Sequence, residues 1–134
     1  MKYFLHGAFI LVLFVYTACK QETFDERCLR ETKAYTERFC PQRVGKDIVL
    51  DSITYSITTR TRSYYHTLSG EYDNAELMKQ SANTFKQEAL NSIRNSVEMK
   101  AMKDEKVNFV YIFHSKSSHK ELLRTTFTYD DYTD

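Results

Sequence analysis

Glycine and proline are scarce in this chain of 134 residues, which contains three of the first and one of the second. This composition leaves little material for a glycine-rich loop that cradles phosphate or for a long flexible linker. The Gly-x-Ser-x-Gly signature of one large class of hydrolases is also missing. No residue is therefore predicted to be catalytic, and we expect a protein that is not an enzyme.

Neither sign of charge dominates the chain, since 19 Lys and Arg residues stand against 18 Asp and Glu residues. The two signs alternate along most of the sequence, so there is no basic stripe of the kind that attracts nucleic acid. Charged residues make up 28% and aromatic residues 14% of the chain. This balance excludes a disordered polar tail and a membrane bundle, and it predicts one folded domain.

A targeting signal is predicted for residues 1–18. Lys2 supplies a positive charge, and an apolar run then extends from Gly7 to Ala18. The run is shorter than the roughly 20 apolar residues of a transmembrane helix, and polar residues follow it at once. We therefore interpret residues 1–18 as a signal peptide and residues 19–134 as a single domain, with a retained signal anchor as the alternative.

The segment Tyr16-Thr17-Ala18-Cys19 resembles a bacterial lipobox, although Tyr16 stands where leucine is usual. The resemblance implies that Cys19 becomes the first mature residue and carries a lipid that anchors the domain to a membrane. Acyl chains of this kind contribute about 0.8 kcal/mol for each buried CH₂ group. Because Lys20 stands where the inner-membrane retention signal has aspartate, the outer membrane is the favoured location within the cell envelope.

Cys28 and Cys40 form an even pair in what would be an oxidising compartment, which favours a disulfide. Helical spacing argues against it, since Phe24, Cys28, Tyr35 and Phe39 recur as on one helix. A continuous helix would separate the two cysteine Cα atoms by roughly 18 Å, far beyond disulfide reach. We favour the helix with two buried free thiols.

Periodicity predicts the element order α-β-β-α-β-β, an α+β fold with a four-stranded antiparallel sheet and helices packed on one face. The predicted elements are a helix over 22–38, strands over 47–60 and 62–69, a long helix reaching about Lys103, and strands over 107–114 and 121–129. Asp73 and Glu76 form a candidate capping box for the long helix, and its apolar stripe is Met78, Ala82, Phe85, Ala89, Ile93 and Val97. The apolar phase of the first strand shifts near Asp51, as a β-bulge requires. The element order distantly resembles that of cystatin-like domains.

Few residues of the sequence are candidates for metal ligands. His114 and His119 lack a third ligand at fixed spacing, so neither a metal nor another cofactor is predicted. The residues Arg60, Arg62, Tyr64, Tyr65 and His66 instead concentrate types that are enriched in protein interfaces. Because neighbours on a strand point to opposite faces, Tyr64 and Tyr65 cannot both be buried in a two-layer fold.

The segments Cys40-Pro41-x-x-Val44, Leu50-Asp51-Ser52-Ile53 and Tyr64-Tyr65-x-Thr67-Leu68-x-Gly70 resemble a pattern of small exported bacterial proteins. The sequence therefore favours a membrane-tethered module that binds a protein, with no role in nucleic-acid binding. A toxin-neutralising immunity lipoprotein is one version of this hypothesis. The alternative is a structural or assembly accessory of the cell envelope.

Overall fold

The computed structural model describes residues 19–133, and the predicted signal peptide lies outside them. Within this range the chain has four α-helices: α1 (Phe24–Phe39), α2 (Ala75–Asn95), α3 (Lys100–Asp104) and α4 (Tyr129–Tyr132). It has five strands: β1 (Gln42–Gly45), β2 (Ile48–Ser56), β3 (Thr61–Leu68), β4 (Asn108–Ser115) and β5 (Glu121–Phe127). The predicted α+β class is confirmed. None of the described helices has the length and apolar character to cross a membrane.

The sheet differs from the predicted one in strand number and in direction. It has five strands in the order β1-β2-β3-β4-β5, and β3 pairs with β4 in parallel while the other pairs are antiparallel. The prediction of four antiparallel strands was therefore wrong. The reason is the connection between β3 and β4, which runs through α2 and returns the chain to the end of the sheet where β3 began, as in other parallel crossovers.

Residues at both ends of helix α1 determine where it begins and ends. Thr23 and Glu26 form a capping box, in which each side chain bonds to the backbone of the other residue. The helix ends at Phe39, just before Pro41, because proline disfavours helical geometry in the residue before it. Cys28 lies within this helix and Cys40 follows it, and both are free thiols in the structure, Cys28 buried and Cys40 partly buried.

Helix α2 starts one residue later than the predicted capping box. The side chain of Asn74 accepts a hydrogen bond from the backbone N–H of Leu77 at 3.0 Å, so Asn74 is the cap. Asp73 instead binds the turn after β4, where it accepts hydrogen bonds from the Ser115 hydroxyl and the Ser117 N–H. The helix ends at Asn95, so Val97 lies outside the apolar stripe and is 86% exposed.

All described helices pack on one face of the sheet, which we call the helix face. Its buried strand residues include Leu50, Ile53, Tyr64, Phe109 and Phe127. Strand β2 supplies Leu50 and Ile53 to the same face because Asp51 is an extra residue between them, where the register shifts as predicted. In the described chain, the helix residues of both hydrophobic core clusters pack on the helix face. We call the opposite face of the sheet the open face.

Candidate partner-binding site

Strand alternation divides the five residues that the sequence grouped as one surface. Arg62, Tyr64 and His66 lie on the helix face, whereas Tyr65 lies on the open face. Arg60 belongs to the turn before β3, where it adopts a positive φ of 48°. The five side chains therefore do not form one surface, because residues one apart on a strand point in opposite directions.

The three residues on the helix face are engaged inside the protein. Tyr64 is 8% exposed and stacks on Tyr111 with 4.8 Å between ring centroids. His66 is also 8% exposed, stacks on Phe113, and has Nδ1 3.3 Å from the carbonyl oxygen of Ile112. Burial lowers the pKa of His66 and favours its neutral form. Tyr64 and His66 therefore belong to the core.

Arg62 is also turned towards the helices. Its guanidinium lies 5.3 Å from the centre of the Tyr64 ring, and its Nη1 approaches the sulfur of Met102 at 3.4 Å. The buried Nε has no hydrogen-bond partner within the described residues. Burying this N–H without a partner costs free energy, and the cation–π contact with the Tyr64 ring offsets part of that cost. Arg62 thus lies on the face opposite Tyr65, so the two side chains cannot contribute to one surface.

Arg60 fastens the β2–β3 turn to helix α1. Its Nε donates to Asp25 Oδ1 at 3.0 Å, and the hydroxyl of Tyr55 donates to the same oxygen at 2.6 Å. The hydrogen bond from Tyr55 is the main cause that lowers the pKa of Asp25. A second ion pair joins Arg60 to Glu105 at 3.4 Å. The guanidinium of Arg60 is thus engaged in ion pairs within the protein.

Two neighbouring rows of side chains run across four strands at the centre of the open face. The first row is Thr54, Ser63, Val110 and Thr126, and the second is Ser52, Tyr65, Ile112 and Arg124. The central residues Val110 and Ile112 are 7% and 0% exposed, although no helix of the described chain packs on them.

Tyr65 and Arg124 flank Ile112 on this face, one from β3 and one from β5. Glu121 holds Arg124 in place, since its Oε1 accepts from Nε at 2.9 Å and from Nη2 at 2.7 Å. This hydrogen bond is the main cause that raises the pKa of Arg124. The structure therefore places the outward tyrosine in the same row as Arg124.

Sequence reasoning missed Arg124, although a signal for it was present. The alternation of Leu123, Thr125 and Phe127 already placed Arg124 on the other face of its strand. What the pattern could not supply was the position of β5 beside β4, which brings Arg124 into the row of Tyr65. Within residues 19–133, no His, Cys, Asp and Glu side chains gather in a group that could hold a metal ion.

Comparison with known proteins adds a family and two similar folds. Residues 23–123 match the model of the family described as a domain of unknown function, DUF8479. The chain belongs to this family. None of the curated proteins is similar enough to count as a match.

Two solved structures share the fold of this DUF8479 protein. A candidate secreted protein from Pseudomonas aeruginosa superposes with a TM-score of 0.66 at 11% identity, over 81% of this chain and 96% of that one. EpsS, a pilotin from the type 2 secretion system of Vibrio vulnificus, superposes with a TM-score of 0.50 at 9% identity. That match covers 82% of this chain and 92% of the pilotin. At such identities the likeness shows a shared fold.

Proposed function

We propose that this protein is an exported, non-catalytic accessory of the bacterial cell envelope, anchored through a lipid on Cys19, that binds a protein partner through its open face. The observation that carries the binding role is the placement of Tyr65 and Arg124 on either side of the buried Ile112. An aromatic ring and a guanidinium on a rigid sheet present contact area that loses little conformational freedom on binding. Tyrosine and arginine are also the types enriched at interface hot spots.

The envelope location is supported by the predicted signal peptide and by the solved folds. One similar structure is a candidate secreted protein and the other is a secretion-system pilotin. The second of these favours an accessory role in envelope assembly over the neutralisation of a toxin. Toxin neutralisation stays a prediction that follows from the sequence alone.

The proposed anchor would hold the domain close to the membrane. Cys19 is exposed, and helix α1 is capped by Thr23 only four residues later. At about 3.5 Å per residue, four residues reach at most about 14 Å. Glu22 is bound in turn to Arg30 by two hydrogen bonds of 2.8 and 3.1 Å, which shortens the free tether further. The lipid would therefore fix the N-terminal end of α1 near the bilayer surface.

The test is site-specific photocrosslinking in the intact bacterium. A photoreactive phenylalanine derivative replaces Tyr65 in one variant and Phe39 in the control, because Phe39 is an aromatic residue on α1 that is 48% exposed and lies away from the open face. We expect an adduct with an envelope-assembly protein from position 65 alone, and its loss when Arg124→Ala is added.

Three results would contradict the proposal. Identical adducts from positions 65 and 39, or none from position 65, would remove the open face as the binding surface. An adduct with a secreted toxin would replace the accessory role by an immunity role.

A further inference from the structure

The edge strand β2 is only partly covered, which leaves a second surface apart from the open face. Strand β1 pairs with Ile48, Val49 and Leu50, whereas β2 continues to Ser56. On this edge no other strand of the described chain lies beside residues 51–56. Such an edge exposes backbone N–H and C=O groups that can pair with a further strand.

Helix α1 satisfies one position of this open edge with a side chain. The hydroxyl of Thr36 accepts from the Ile53 N–H at 2.9 Å and donates to the Ile53 carbonyl at 2.9 Å. These bonds show that the backbone groups of Ile53 point away from β3 and out of the sheet edge. Since backbone direction alternates along a strand, the N–H and C=O of Tyr55 point the same way. Within residues 19–133, no hydrogen-bond partner is found for them.

The outward groups of Tyr55 border a groove of about 320 Å³ between α1 and β2. Its strand wall is residues 52–55, and its helix wall consists of Leu29, Thr32, Lys33, Thr36 and Glu37. Leu29 is 41% exposed and supplies the apolar side chain of the helix wall. Lys33 and Glu37 approach each other to 4.0 Å and are both exposed. The groove thus has an apolar wall, a strand edge and a neutral pair of charges.

We propose that this groove binds an extended segment of a partner protein, which adds a strand to the open edge of β2 and seats an apolar side chain against Leu29. The backbone of Tyr55 requires a donor and an acceptor in extended geometry, and a helix has neither to offer because its backbone groups bond internally. Strand β1 pairs with the same edge beside Leu50, and Thr36 occupies it at Ile53, so the segment pairs with β2 at Tyr55.

A second copy of the chain is the less favoured occupant. The free edge covers only residues 51–56. Stable protein interfaces bury at least about 1,200 Å² in total, which so short an edge and one groove do not provide alone. A short segment with one anchoring side chain matches the size of the groove better. The inference does not depend on the open face, because Tyr65 and Arg124 take no part in it.

The test uses the full chain, purified in detergent, and a labelled probe peptide. The probe is a blocked heptapeptide of alternating threonine and valine with leucine at its centre, and binding is followed by fluorescence anisotropy. A matched peptide carries N-methyl groups on the backbone nitrogens that would pair with β2. We expect N-methylation and Leu29→Glu each to weaken binding at least about tenfold, since each removes a contact that an added strand requires. Val97→Glu is the control, because it places the same charge at an exposed apolar residue away from the groove.

Hydrogen exchange locates the bound probe. We expect protection of the Tyr55 amide on addition of the peptide, with no change in the row of Tyr65 and Arg124. Equal binding of the N-methylated peptide, tighter binding of an alanine-rich helical peptide, or unchanged binding by Leu29→Glu would overturn the inference. Dimerisation of the chain that Leu29→Glu abolishes would also overturn it, in favour of a second copy. Each result leaves the crosslinking test at Tyr65 unaffected.

Discussion

The rings of Tyr64 and Tyr111 lie parallel to each other, with an interplanar angle of 7° and 4.8 Å between centroids. They occupy paired positions on β3 and β4, where the sheet changes from antiparallel to parallel. The stack therefore joins the two halves of the sheet on the helix face. Tyr65, one residue further along β3, points away from this stack towards the open face.

The two neighbouring tyrosines should respond in opposite ways to replacement by alanine. Tyr64→Ala should cost about 3–5 kcal/mol of stability, because it removes a large buried ring and leaves a cavity. Tyr65→Ala should cost less stability but about 2 kcal/mol of partner affinity, as expected for a hot spot. Urea unfolding and a binding assay on both variants measure the two effects. Loss of stability in both, without loss of binding in either, would place the interface elsewhere.

Replacement of Thr36 tests whether its hydroxyl serves as the partner of the open strand edge. Thr36→Val keeps the shape but leaves the N–H and C=O of Ile53 without their 2.9 Å hydrogen bonds. An unsatisfied buried group costs about 1–3 kcal/mol, so we expect a loss of that order in urea unfolding. Thr36→Ser retains the hydroxyl and is the control. Equal stability of the valine and serine variants would show that the hydroxyl contributes little.

The buried His66 should make the stability of the protein depend on pH. Burial holds its pKa below the usual 6.5 in the folded state, so the unfolded chain takes up a proton first as the pH falls. Stability is therefore complete above about pH 6.5 and declines below it, down to the lowered pKa of the folded state. His66→Gln should show a smaller loss between about pH 7.5 and about pH 5, because it has no proton to gain. Urea unfolding midpoints at the two pH values measure this loss of stability. Equal losses in the variant and the wild type would show that other groups cause the decline.

The predicted lipid on Cys19 is open to a direct chemical test. Cys19→Ala should abolish labelling by an alkyne fatty acid and release the domain from the membrane fraction, since it removes the thiol that carries the acyl chains. Cys28→Ala is the matched control, because Cys28 is buried within α1. Equal labelling of the Cys19→Ala variant and the wild type would end the lipoprotein interpretation.

Much of the local structure could be predicted because single side chains determine it. The end of α1 before Pro41, the bulge at Asp51 and the alternation of Tyr64 and Tyr65 all depend on neighbours in sequence. Strand β1 could not be predicted, since three of its four residues are exposed and it has no apolar alternation. The choice of Asn74 over Asp73 as a cap was also open, because both side chains cap helices well.

The direction of β4 was predictable in principle. The run from Val107 to His114 is apolar on both faces, a pattern typical of parallel strands that are buried on both sides. The candidate site depended on that direction, because the parallel pairing aligns Tyr65 with Ile112 and, through β5, with Arg124. Contacts between strands distant in sequence leave no trace in local periodicity.

The parallel pairing of β3 with β4 also sets the order in which the sheet can form. The β2–β3 and β4–β5 hairpins close short turns, whereas the contact of β3 with β4 must close the whole segment from Ser69 to Val107. Closing a longer loop costs more chain entropy, and such non-local contacts slow folding. The two hairpins should therefore form first as separate units, and the stack of Tyr64 on Tyr111 should complete the nucleus that joins them.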